Sequence, residues 1–132
     1  MMAKKVAIIA SNGDLETAYK ALNIATAAVA SDAEVGIFFT FEGLNIIHRE
    51  GSQQLTMGPG KEHFAEGFQK AGVPSIGELQ DMAREGGVQM IGCQMTMDVM
   101  GVEKEQLIEG VEVGGAVSFL DFAFDADITL SF

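Results

Sequence analysis

Five consecutive apolar residues, Val6-Ala7-Ile8-Ile9-Ala10, stop at Ser11-Asn12-Gly13-Asp14 and give way to a segment with helical spacing. A strand with one wet face alternates polar and apolar side chains, whereas a strand covered on both faces reads as an unbroken apolar run. The opening strand therefore requires layers above and below its sheet. In the segment that follows, Leu15, Ala18, Tyr19, Leu22, Ala25 and Val29 recur at helical intervals as far as about Ala30, with Asn12 or Asp14 as the cap. Ala21, Ile24 and Ala28 make the other side nearly as apolar, so this helix is expected to be covered on two sides.

The same alternation continues. Glu34-Val35-Gly36-Ile37-Phe38-Phe39-Thr40 is rich in strand formers. Lys61 to Ala71 reads as a helix stopped by Gly72 and Pro74, and Ser75…Glu78 is a capping box opening another that runs to about Glu85. A third strand ends at Cys93, and a segment with helical character follows. A short helix is expected over residues 103–109, a brief strand over 111–113, a helix from Gly114 to about Asp125 and a last strand at Ile128-Thr129-Leu130. Alternating strands and helices predict a parallel sheet covered on both faces, in one α/β domain spanning residues 1–132. Two apolar features fit this scheme poorly. The irregular segment from Glu42 to Gly60 carries Leu44, Ile46, Ile47, Leu55 and Met57, and Phe122 falls on the side of its helix that should face water. Both suggest subunit contacts.

Charge narrows the choice of partners. The net charge is −11, and no Lys or Arg follows Lys104. Such a surface repels phosphate backbones and anionic membranes, so nucleic acid is not an expected partner. The two lysines before the first apolar run could open a signal peptide, but the run is too short. No stretch approaches the roughly 20 apolar residues of a membrane span, and the expected location is cytoplasmic.

Cys93 is the only cysteine, so the chain can form no internal disulfide. Its strand-to-helix position puts the sulfur at the carboxyl edge of the sheet, where helix N-terminal N–H groups favour a thiolate. The N–H groups of Met95 and Thr96 and the Thr96 hydroxyl are the expected donors. Asn12 and Thr40, from loops after the first two strands, reach the same edge if the sheet is parallel. Met90, Met95, Met97 and Met100 surround the sulfur in sequence and offer soft apolar shielding or ordinary packing. Glu42 and Asp98 would oppose a thiolate if they pointed inward. No second thiol is present to resolve an oxidised Cys93, and His48 and His63 are distant in sequence. Cys93 with its neighbouring methionines could suit Cu(I), yet too few ligands gather for a zinc site, and neither metal nor cofactor is expected. Ser11-Asn12-Gly13-Asp14 lacks the spacing and lysine of a phosphate loop. Cys93 is thus either a working thiol or a small buried apolar residue.

The run Ile91-Gly92-Cys93-Gln94-Met95-Thr96-Met97-Asp98-Val99-Met100-Gly101-Val102 and the later Glu109-Gly110-Val111-Glu112-Val113-Gly114-Gly115-Ala116 resemble the DsrE/DsrF/DsrH-like family, in its peroxiredoxin-like subgroup. Lys5–Ser11, Phe38–Leu44 and Ala126–Leu130 also fit. The resemblance implies a three-layer α/β/α domain with a five-stranded, mostly parallel sheet, assembly into oligomers and a part in sulfur relay. In carrier members the cysteine matching Cys93 holds a persulfide and passes its outer sulfur to a partner protein. Three functions are therefore expected to compete. The first is a persulfide carrier, a sulfurtransferase in the broad sense, working through Cys93 with sulfur donor and acceptor proteins. The second is a non-catalytic oligomeric interaction module, and the third a thiol-dependent oxidoreductase with an external resolving thiol.

Overall fold

The computed structural model describes residues 4–132; residues 1–3, the start of the stretch weighed as a signal sequence, lie outside them. Five strands, β1 (Lys5–Ala10), β2 (Glu34–Phe39), β3 (Gln89–Cys93), β4 (Glu112–Gly114) and β5 (Ile128–Ser131), form one sheet in the order β4-β3-β2-β1-β5. Every pairing is parallel, so all five carboxyl ends share one edge. The chain has an α/β fold with helices α1 (Leu15–Ala30), α2 (Phe64–Ala71), α3 (Ile76–Glu85), α4 (Gln94–Met100) and α5 (Ala116–Ala123). Among the described residues, no helix is long and apolar enough to cross a membrane.

Of the two candidate caps for α1, Asp14 is the one used: its carboxylate accepts from the Thr17 N–H at 2.8 Å, while Asn12 stays exposed in the loop. The α3 capping box forms as expected, with Ser75 and Glu78 each accepting the other's backbone N–H. Ala18, Ala21, Leu22 and Ala25 of α1 pack into the larger core, together with Leu79 and Ala83 of α3 and Ile8, Ile37 and Met90 of the sheet. The short helix expected at 103–109 is only a 3-10 turn at Lys104–Gln106.

Two expectations are corrected. Leu44, Ile46 and Ile47, on a 3-10 turn at Phe41–Ile47, are fully buried in this chain's own core, and Met57 is buried too. Their apolarity is thus explained within the chain. Phe122 does not face water either; it is 7% exposed, under α5. Gly36 of β2 leaves a hollow for its ring, since a Cβ there would lie 2.7 Å from it. The Lys5 ammonium sits 4.4 Å from the centroid of the same ring. Phe119 stacks on Phe38 with centroids 5.3 Å apart, so α5 docks through Phe119 and Phe122. This rotation leaves Val117, Leu120 and Phe124 facing outward.

Candidate functional site

Cys93 both ends β3 and caps α4, in extended backbone conformation. In a helix cap the side chain faces the N–H groups two and three residues on. Here a sulfur stands in the place of the usual capping oxygen, near the N–H groups of Met95 and Thr96 but without a cap hydrogen bond of ordinary geometry. Its strand neighbours are fixed by register: Gly114 pairs with it on β4, and Thr40 comes one residue after the Phe39–Gly92 pair on β2. Cys93 is 4% exposed and packs in the smaller core beside Ile91, Phe38 and Phe119.

Burial pushes the Cys93 thiol pKa up, but the hydroxyls of Thr40 and Thr96 and the N–H groups of Thr96 and Met95 outweigh it, leaving the thiol below its ordinary value. The structure thus brings together three of the four supporting residues expected from sequence: Thr40, Met95 and Thr96. Asn12, the fourth, is not among the groups that shift the thiol.

Thr96 has a further partner that sequence reasoning missed. The Phe41 N–H donates to its Oγ1 at 2.9 Å, and Thr40 Oγ1 lies 3.4 Å away. A hydroxyl has one proton to give. With an acceptor site of Thr96 Oγ1 filled by Phe41, that proton is directed to the remaining neighbours, the sulfur among them. Phe41 reaches this position at φ +50°, a left-handed backbone that an aromatic residue rarely adopts. No sequence signal marks it, because Gly or Asn would be the usual occupant. The loop is wedged from below by Gly43, whose missing side chain leaves room for the Ala10 carbonyl, and by Gly13, where a Cβ would lie 2.6 Å from the Glu42 carbonyl.

The four methionines divide. Met90 and Met97 belong to the larger core, while Met95 and Met100 are exposed at the mouth of the site. Asp98 is exposed and accepts from Gln94 Nε2 at 2.8 Å, and Glu42 is exposed as well. His48 Nδ1 accepts from the N–H groups of Glu50 and Gly51, and His63 lies against Phe64. Neither imidazole is among the groups that shift the Cys93 thiol. Among the described residues, no group of three or more His, Cys, Asp or Glu side chains is placed to hold a metal ion.

Residues 2–70 and 52–131 match the sequence model of the DsrE/DsrF/DrsH-like family. The chain belongs to the DsrE/DsrF/DrsH-like family. Its relatives include the sulfur carrier protein DsrE2 of Allochromatium vinosum, 36% identical over an alignment covering 98% of this chain and 99% of that protein. The YrkE protein of Bacillus subtilis is 28% identical over 96% of each chain. Among solved structures, the YchN protein of E. coli superposes with a TM-score of 0.71 at 21% identity, covering 99% of this chain and 100% of that one. The MTH1491 protein of Methanobacterium thermoautotrophicum follows at a TM-score of 0.68 and 14% identity, covering 96% and 98%. These two establish a shared fold. Within this family fold, Cys93 occupies the carboxyl edge, where open α/β sheets carry their sites.

Proposed function

We propose that this DsrE/DsrF/DrsH-like chain is a persulfide carrier, with Cys93 as the carrying thiol. The observation that supports this best is the placing of a buried sulfur at the start of α4, beside the linked hydroxyls of Thr40 and Thr96, whose influence holds the thiol below its ordinary pKa. In the loading step, the Cys93 thiolate attacks the outer sulfur of a donor persulfide. A new S–S bond forms, the donor's S–S bond breaks, and the donor leaves as a thiolate. In unloading, an acceptor thiolate attacks the outer sulfur and Cys93 departs as a thiolate. Neither step needs an oxidant or a reductant, which suits a chain with one cysteine. A thiol that must stay reduced between rounds suits a cytoplasmic compartment.

Incubation of the folded protein with a persulfide-loaded donor protein, followed by mass spectrometry, is expected to show one added sulfur atom on Cys93 and none on a Cys93→Ser variant. An unchanged mass would end the proposal. The 4% exposure of Cys93 favours one other reading, a structural cysteine in an interaction module. In that case iodoacetamide would modify Cys93 only after unfolding.

The carrier is further proposed to be a homo-oligomer. Val117, Leu120 and Phe124 leave an apolar stripe along the outer side of α5, in water, that a lone chain does not cover. Sedimentation velocity is expected to give a mass above that of one chain, and Leu120→Glu with Phe124→Glu to return it to monomer. A wild-type monomer at micromolar concentration would refute this assembly.

A further inference from the structure

Beside Cys93 lies an apolar cavity of about 300 Å³ lined by Phe41, Glu42, Met95, Thr96, Val99 and Met100. It shares two residues with the sulfur's own surroundings, since Met95 and Thr96 also supply the donors to the thiolate. Its volume is at the small end for ligand sites and suits a single large side chain. Phe41 is 62% exposed, Met95 59% and Val99 81%, although each is apolar. Phe41 also holds its place at positive φ. Strained backbone of this kind clusters where a ligand or partner is met.

The rim has a definite charge. Glu42 forms part of the wall, and one turn of α4 places Asp98 beside the Met95–Val99 stripe. No Lys or Arg occurs at residues 6–19, 21–48 or 85–103, the stretches that supply β1 beyond its first residue Lys5, β2, β3, α4 and the loops around the sulfur. A hydrophilic anionic thiol of low mass would find no cationic side chain in this lining and would be repelled at its rim. A thiol carried beside an apolar side chain and a cation would gain from both.

We propose that this cavity is the docking site of the carrier's protein partner, and that it receives a large apolar side chain next to the partner's reacting cysteine while Glu42 and Asp98 draw in a neighbouring Lys or Arg. The assignment rests on Cys93 being the transferring thiol, but it has a test that needs no persulfide.

Blocked peptides Arg-Phe-Cys, Glu-Phe-Cys and Arg-Gly-Cys, and glutathione, are each prepared as the mixed disulfide with thionitrobenzoate. The Cys93 thiolate attacks the peptide sulfur, one S–S bond forms as another breaks, and coloured thionitrobenzoate leaves. Arg-Phe-Cys is expected to be captured about tenfold faster than the other three, the size of effect that charge complementarity and one buried aromatic group give at an interface. Glu42→Gln with Asp98→Asn is expected to erase the preference for Arg over Glu, and Val99→Ser to reduce the preference for Phe over Gly. Val99 is exposed enough for the substitution to leave folding intact. Rates within about twofold of each other would overturn the assignment, allowing for the experimental scatter of weak electrostatic effects. So would the absence of capture of any peptide by the folded protein, including the case in which a second copy covers the cavity. Peptide preference without sulfur loading removes the carrier reading and leaves the docking site. Loading without preference does the reverse.

Discussion

Replacing Thr96 with valine is expected to slow alkylation of Cys93 at neutral pH by about three- to fivefold and to weaken the fold as well. A hydrogen bond to a charged group contributes about 1.5–3 kcal/mol, which corresponds to tenfold or more in the thiolate fraction. A thiolate of higher basicity is the better nucleophile, and this returns roughly half of that loss on a logarithmic scale. Thr96 is 5% exposed, so valine would also leave the Phe41 N–H without its acceptor. An orphaned donor of this kind costs about 1–3 kcal/mol of stability. Thr96→Ser keeps the hydroxyl and is expected to keep most of both effects.

The pH dependence has a definite sign. The folded thiol lies below its ordinary value of 9.0, so the thiolate's contribution to stability is present in full above that value and is lost as pH falls through the folded pKa. The stability advantage of wild type over Thr96→Val should therefore widen as pH rises through this window. An advantage that stays constant with pH, measured by urea unfolding, would show that Thr96 does not favour the thiolate.

Gly43→Ala is expected to cost about 3 kcal/mol, the upper range for overpacking. The new methyl group would collide with the Ala10 carbonyl, and the Ser11 N–H lies 3.1 Å away. Both are strand-end backbone, which has no rotamer to yield. The loop holding Thr40 and Phe41 would have to lift, so the loss of stability should be accompanied by slower Cys93 alkylation. Gly67→Ala in α2 is the control: its Cβ would meet nothing within 4 Å, and replacing a helical glycine gains up to about 1 kcal/mol. A Gly43→Ala midpoint close to wild type in urea, with unchanged alkylation, would mean that the close packing of this loop does not govern the thiol.

The loop at 41–47 and helix α5 show how far linear pattern reaches. Leu44, Ile46 and Ile47 read as stray apolar groups because their spacing fits neither a strand nor an α-helix. A 3-10 turn presents them together to the core. In α5, phenylalanines and aliphatics cover most of the helix, and spacing alone turns Phe122 to the wrong side. Gly36, eighty-six residues before Phe122, selects the buried face by leaving a hollow of the right size. Neither fact has a local cause.

The sequence by itself determined the alternation of strands and helices, the burial of the first strand on both faces and the placing of Cys93 where a strand turns into a helix. Each follows from side-chain spacing and capping within a few residues, and so did the Met95 and Thr96 donors, which follow the cysteine directly. Tertiary structure alone decided that Thr40 stands beside the sulfur and Asn12 is not among the groups that lower its pKa, that Phe41 turns its N–H onto Thr96, and that an apolar, acid-rimmed cavity opens over Met95 and Thr96. These depend on β2 lying next to β3 and on how the loops interlock through Gly13 and Gly43. Strand order and loop packing are long-range outcomes, settled by which surfaces fit once the chain has collapsed.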